Sequence, residues 1–332
     1  MRHLLILLLL GFLFPLQVQA STLKIATLAP DGTSWMKVMR EGAKEVKEAT
    51  NGRVTIRFYP GGVMGNDKSI LRKIRVGQLQ GGALTGGGVI PICSECQLYS
   101  LPFMFRSFAE VDYVRERMDP ILSDVLEKKG FVSFGISEGG FAYLMSDQPL
   151  TQVEHLRAQK VWVPEGDRAS RTAFEALSVS PIPLPLTDVL TGLQTGLINT
   201  VGVSPTAAIA LQWHTQVKYL TDMPLLYLYG MLVIQKRAFQ RLSKQDQATV
   251  RDVMERAFRK INKQSRQDNI DAQVALQRQG IQFTHPSPKD ITQWWAIIDR
   301  AVNQMGEEGV YSSEMLGRMR QYLKDFRSSE AQ

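Results

Sequence analysis

The sequence predicts an α/β fold with a largely parallel sheet, arranged as two lobes. Three observations carry this. A strand–helix–strand unit follows the first twenty residues, the order expected of a parallel sheet covered by helices. Strand patterns begin again in the second half. One helical pattern of roughly 35 residues starts near Ser243, and at about 50 Å it is longer than one small lobe. The length of 332 residues fits two domains better than one, and the balance of 44% hydrophobic to 21% charged residues is globular.

The first segment, Met1–Ala20, reads as a secretory signal. Arg2 supplies the positive start, and Leu4–Phe14 is apolar apart from Gly11. Val18 and Ala20 then put small residues at the −3 and −1 positions of a cleavage site. A membrane anchor is the competing reading, but Leu4–Val18 spans 15 residues and contains Pro15 and Gln17, short of the roughly 20 that a spanning helix needs. The residue after the cut is Ser21, not cysteine, which argues against a lipid-anchored end.

Leu23–Leu28 alternates as a strand does. Thr33 or Ser34 can cap a helix over about Trp35–Thr50, with Met36, Met39, Ala43 and Val46 on one face. Asn51-Gly52 ends it, and Arg53–Tyr59 is a second strand. A helix follows over about Lys68–Val76, and Gly81–Val89 is a strand end running into a glycine-rich loop. Gly130–Ile136, Phe141–Ser146 and Lys160–Val163 are the next strands; Arg168–Leu177 and Leu186–Thr195 are helical. The long helix opens on Ser243-Lys-Gln-Asp246, which resembles a capping box. Its stripe runs through Val250, Val253, Met254, Ala257, Phe258 and Ile261 toward Gly280. No repeat or low-complexity linker appears, so the chain is expected to pass between the lobes several times.

The formal charge is +7, from 39 Lys+Arg against 32 Asp+Glu, with no run of five like charges. A dispersed excess is a solvated surface, not a nucleic-acid footprint. Cys93 and Cys96 are the two cysteines, spaced C-x-x-C. No second such pair exists, and His155, His214 and His285 show no ligand spacing, which argues against zinc. In an exported chain a small local disulfide is the better reading. Gly135-Ile-Ser137-Glu-Gly139 matches a nucleophile elbow, yet a strand follows where an elbow leads into a helix. Gly81–Gly88 lacks the Lys-Ser/Thr of a P-loop and the order of a dinucleotide fingerprint. Neither an enzyme nor a cofactor site emerges.

Three segments, LAPDGTSW, FYPGGVMGND and LPFMFRS, lie in order along the first half. KVWVPEGD, LQTGLINTV, KYLTDMPL and LVIQKRAFQRLS follow in the second. From Leu23 to about Gly280 this order resembles the solute receptors of TRAP transporters. The resemblance implies a two-lobed periplasmic binding protein fold, its lobes joined by crossing strands and a long helix. Such a receptor closes around a small-molecule solute and docks on an ion-gradient-driven TRAP-type membrane permease, with no cofactor and no metal. The implied organisation is residues 1–20 as signal peptide, 21–145 mainly first lobe and 146–235 mainly second lobe. Residues 236–332 supply the long helix and C-terminal helices packing on both lobes.

One departure sets the ligand expectation. Most members carry a K-[IVM]-R-V-P segment whose arginine clamps the solute carboxylate. Here it reads Lys160-Val161-Trp162-Val163-Pro164. Arginine offers a fork of donors, tryptophan one N–H and an apolar face. The usual polar D-G-x-E-N-P-like segment reads Asn199-Thr200-Val201-Gly202-Val203-Ser204-Pro205. This looks like a subgroup with a hydrophobic ligand, some members of which are thought to pair with a tetratricopeptide-repeat partner. The expected contacts are Trp162, Pro164, Leu28, Gly87, Ser204, Trp213 and Tyr229. By alternation Trp162 shares a face with Lys160 and Pro164, which looks into the cleft in the resembled fold; the competing reading puts it in the core. Trp213 and Tyr229 fit cleft and core equally. The expected ligand is apolar or amphiphilic. The alternative is a small organic acid held by another cation, for instance Arg168 or Arg171. A hydrolase built on Ser137 and an extracytoplasmic sensor are the rival functions.

Overall fold

The computed structural model describes residues 20–330; all but Ala20 of the signal segment lies outside the described residues. Along the chain run β1 (Ser21–Thr27), α1 (Ser34–Ala49), β2 (Val54–Tyr59), α2 (Asp67–Arg75), β3 (Gly81–Thr85), α3 (Gly86–Val89) and α4 (Phe108–Lys128). Next come β4 (Phe131–Ser146), α5 (Val153–Arg157), β5 (Trp162–Pro164), α6 (Arg168–Ala176), β6 (Ile182–Leu184), α7 (Val189–Gln194), β7 (Thr200–Val203) and α8 (Pro205–Ala210). The chain then forms β8 (Tyr219–Gln235), α9 (Lys236–Gln240), α10 (Lys244–Arg278), β9 (Gln282–Thr284), α11 (Pro288–Glu307) and α12 (Ser313–Glu330).

The main sheet has the order β2-β1-β3-β8-β4-β7, with β9 added beside β8. β1 pairs parallel with β2 and β3, whereas β8 is antiparallel to both β3 and β4. The β4–β8 pair runs through the whole molecule. One end carries β3 against Gly230–Ile234; the other carries β7 against Tyr143–Ser146 and β9 against Tyr219–Thr221. These two strands are the crossings between lobes. A small parallel pair, β5 and β6, is tied to β7 by a bridge between Val161 and Thr200.

The glycine-rich stretch before Phe141, expected to separate two strands, lies inside the single strand β4. Register shifts fall between Ser133 and Ile136 and between Glu138 and Gly140. Gly135 and Gly140 have φ of 129° and 85°, conformations that side chains resist. The bulged backbone is not left unpaired, because α10 packs on it. Asn262 accepts from the Glu138 amide at 2.8 Å and donates to the Ile136 carbonyl at 3.0 Å. Ser265 donates to the Glu138 carbonyl at 2.8 Å and Asn269 to that of Gly139 at 3.3 Å.

Helix α10 has the length read from the sequence, 35 residues, and Ser243 caps it by accepting from the Asp246 amide at 3.0 Å. Asp246 in turn binds Arg53 beside β2, at 2.8 Å. The helix packs on α1 of the first lobe, on β4, and on α8 of the second lobe. Its buried stripe of Val250, Val253, Met254, Ala257, Phe258 and Ile261 closes the first lobe's core against Leu23, Ile25, Met36 and Met39. A second core, built on Val189, Val201, Trp213 and Leu276, fills the other lobe. Helix α4 was not anticipated, since Pro120 interrupts its pattern; it is nevertheless continuous, capped by Ser107.

Candidate functional site

The loops leaving β1, β3 and β6 face one another between the lobes and enclose two cavities. The larger has a volume of about 680 Å³ and the smaller about 460 Å³. Leu28, Thr85 and Leu186 line both. Cross-lobe approach is close here. A Cβ on Gly62 would sit 3.2 Å from Thr187 and 3.5 Å from Leu28, and one on Gly87 would sit 3.8 Å from Pro164.

The larger cavity is walled by the start of α1, the middle of β8, α8 and the face of α10 from Ile261 to Ala275. No Lys, Arg or His lies among its lining residues; its charged groups are Glu138, Asp268 and Asp271. Glu138 has a fully buried side chain and is held by Arg266 at 2.9 Å, with the Tyr227 hydroxyl donating at 3.2 Å. Trp35, which the sequence reading did not single out, packs edge-on to Phe58 and donates its indole N–H to Ser137 at 2.9 Å. Ser137 is therefore an acceptor in a wall. His155, His214 and His285 bind Thr151, the Ala208 carbonyl and Asp222 respectively, and none lines either cavity. Among the described residues no group of three His, Cys, Asp or Glu side chains could hold a metal.

The smaller cavity is built by α2, α3 and the Pro164–Gly166 turn. Asn66 caps α2 by accepting from Ser69, and the helix then presents Lys68, Leu71 and Arg75 to the cavity. Their spacing of three and four is one helical face. That periodicity is plain in the sequence, which does not by itself single out the charged pair. Asp67 stands at the inner end. One carboxylate oxygen accepts from the Thr85 hydroxyl at 2.7 Å; the other is buried without a partner. Burial pushes its pKa up to about 6, against the lowering effect of the Thr85 hydrogen bond.

Five of the seven expected contacts lie on these cavities. Leu28 lines both, Gly87 and Pro164 line the smaller, and Ser204 and Tyr229 line the larger. Ser204 also caps α8, and the Tyr229 phenol is pushed well above its ordinary range by burial. Trp162 and Trp213 line neither cavity. Their rings meet edge-on at 5.2 Å, Trp162 is 6% exposed, and its indole N–H donates to the Leu184 carbonyl at 3.0 Å. That bond turns the ring away from the cleft into the second lobe's core. Cys93 and Cys96 form a disulfide two residues beyond Pro91 of the smaller cavity's wall.

Residues 25–308 match the family described as bacterial extracellular solute-binding protein, family 7. The chain belongs to that family. It is a periplasmic solute-binding protein of the TRAP type, a carrier and not an enzyme, and its fold is the two-lobed one of such receptors. The galactonate-bound sugar-acid-binding protein of Advenella mimigardefordensis superposes with a TM-score of 0.86 at 18% identity, covering 92% of this chain and 99% of that one. A succinate-bound TRAP solute-binding protein of Sulfurospirillum deleyianum gives 0.84 at 21% identity, covering 91% and 99%. The protein YiiZ of Salmonella typhimurium is 26% identical over 160 residues, 47% of this chain; the match spans about half of that relative, 48%.

The expectation of an apolar or amphiphilic ligand is overturned by these findings, since similar solved structures hold small carboxylic acids such as succinate and galactonate. The physical reason is the position of Trp162. An aromatic ring locked in the core offers no wall to a ligand, so the tryptophan in place of arginine says nothing about ligand hydrophobicity.

Proposed function

We propose that this chain is the receptor for a small organic acid, delivered to the membrane subunits of a TRAP-type permease. The observation that carries it is the pair of cations on one face of α2, Lys68 and Arg75, lining the smaller cavity. A carboxylate needs charged donors when it leaves water, and α2 supplies them in a chain that has tryptophan at the usual arginine position. The cations first considered do not serve. Arg168 is paired with Glu308 at 2.8 Å, and neither it nor Arg171 lines a cavity. Leu28, Gly87, Pro164, Ser204 and Tyr229 are the proposed further contacts.

The mature chain begins at Ser21, a reading supported by β1 starting at that residue, with its amide bonded to the Arg53 carbonyl. Its tryptophan marks the chain as a variant of the usual clamp segment. A tetratricopeptide-repeat partner finds no support in the relatives or in the fold.

Calorimetry with succinate and galactonate tests the reading. The double variant Lys68→Ala/Arg75→Ala should bind the acid ten- to a hundredfold more weakly, as for a lost charge-assisted bond of about 1.5–3 kcal/mol. Because both side chains are exposed, its unfolding midpoint should stay close to the wild type's. Failure of both acids to bind the wild type overturns the reading.

A further inference from the structure

We propose that Glu165 makes the smaller cavity selective for a polyhydroxylated monocarboxylate over a dicarboxylate, its carboxylate accepting from ligand hydroxyls while Lys68 and Arg75 hold the acid group. This rests on the organic-acid reading above and adds to it an orientation of the solute across the cleft. The two sides of the cavity carry opposite charge. Lys68 and Arg75 line it from α2, and Glu165 lines it from the turn after β5, on the other lobe. That lobe's further lining residues, Pro164, Gly166, Pro185 and Leu186, are uncharged. The remaining ionisable residue of the lining, Asp67, is withdrawn from solutes. Its carboxylate is buried, bonded to the Thr85 hydroxyl at 2.7 Å, and backed by Gly88.

Lys68, Arg75 and Glu165 are all exposed residues, so a solute entering the cleft can reach them. Among the described residues none of the three enters an ion pair, whereas Arg168, three residues past Glu165, is paired with Glu308 at 2.8 Å. The cations therefore stand free for a carboxylate and Glu165 for a donor. Asn66 adds to the asymmetry: its amide oxygen accepts from the Ser69 N–H at 3.0 Å, which leaves its other end a donor on the α2 side.

A solute in this cavity turns its acid group to α2, and whatever reaches the other lobe meets an acceptor. Hydroxyl groups satisfy that acceptor with charge-assisted bonds. A second carboxylate has no proton to donate and repels Glu165. The attraction of one class and the rejection of the other both add to the difference in affinity. The volume of about 460 Å³ is within the range of small-molecule sites.

Calorimetry of the mature chain at neutral pH and fixed ionic strength is to compare galactonate, succinate and hexanoate, the last an acid without hydroxyls. Wild type should bind galactonate at least about tenfold more tightly than either of the others. Glu165→Gln keeps the shape and removes the charge. It should weaken galactonate about three- to tenfold, strengthen succinate about threefold, and change hexanoate by less than about twofold. Glu165→Lys should reverse the order and favour succinate. Because the residue is exposed, both variants should unfold close to the wild-type midpoint.

Succinate binding as tightly as galactonate in the wild type overturns the proposal, and so does a Glu165→Gln variant with unchanged preference. If succinate is preferred and its affinity is lost on removing Lys68 and Arg75, the organic-acid reading stands and only the role of Glu165 falls. If neither galactonate nor succinate binds, both fall.

Discussion

The larger and smaller cavities meet at Leu28, Thr85 and Leu186, yet they are chemically opposite. The larger has half as much volume again, apolar walls from α8 and α10, and acidic side chains without a lining cation. The smaller has two cations and a half-satisfied carboxyl on one short helix, α2. Size would choose the first and charge the second. For an anion the second consideration wins, because a carboxylate stripped of water without a partner costs several kcal/mol. Extra apolar area returns only about 25 cal/mol per Å².

The largest expected effect would break the larger cavity. Arg266→Ala leaves Glu138 buried and uncompensated in its wall, so urea unfolding should show a loss of about 3–5 kcal/mol. A loss below about 1 kcal/mol would mean that Arg266 is not what compensates the buried Glu138. Trp162→Phe sharpens the comparison by testing whether that residue belongs to either cavity. Losing indole volume and orphaning the Leu184 carbonyl should cost about 1–3 kcal/mol of stability, with acid affinity unchanged within twofold. A tenfold change in affinity at unchanged stability would return Trp162 to the cleft. The smallest effect concerns the rim of the smaller cavity. Replacing Cys93 and Cys96 by serine opens a loop of very few residues, so the midpoint should fall by no more than about 2 kcal/mol equivalent. Acid affinity should fall modestly, through the neighbouring Ile90-Pro91 wall.

Local signals made much of the fold legible. β1, α1, β2 and α2 carry plain periodicity and caps, and α10 announces itself through Ser243 and a stripe of six apolar residues. What escaped was non-local. β4 was split at its glycines because the side chains that satisfy its bulges, Asn262, Ser265 and Asn269, lie more than 120 residues away. β8 contains Pro224 within a mostly apolar run, and its pairing with β3, β4 and β9 makes it a strand. In the site, Leu28, Gly87, Pro164, Ser204 and Tyr229 followed from the resemblance. Trp162 was placed by strand alternation, which gives a face but not what covers it; the covering residue, Trp213, comes from a 3-10 turn fifty residues on. Lys68 and Arg75 look like any solvated helix face until the Pro164–Gly166 turn of the other lobe is set opposite them.

The β4–β8 pair has a consequence for how the molecule is made. Strand β3 finds its antiparallel neighbour only in Gly230–Ile234, some 150 residues later, and β4 waits for the same strand. Such long-range pairing folds slowly, because loop closure must precede any gain from contact. For a periplasmic chain, delay would be useful wherever export requires it unfolded. Until the segment through Gln235 has been threaded across, the central sheet lacks its middle strand, and premature collapse on the wrong side has no complete template. The connection that lets two lobes share one sheet thus also times the assembly of both.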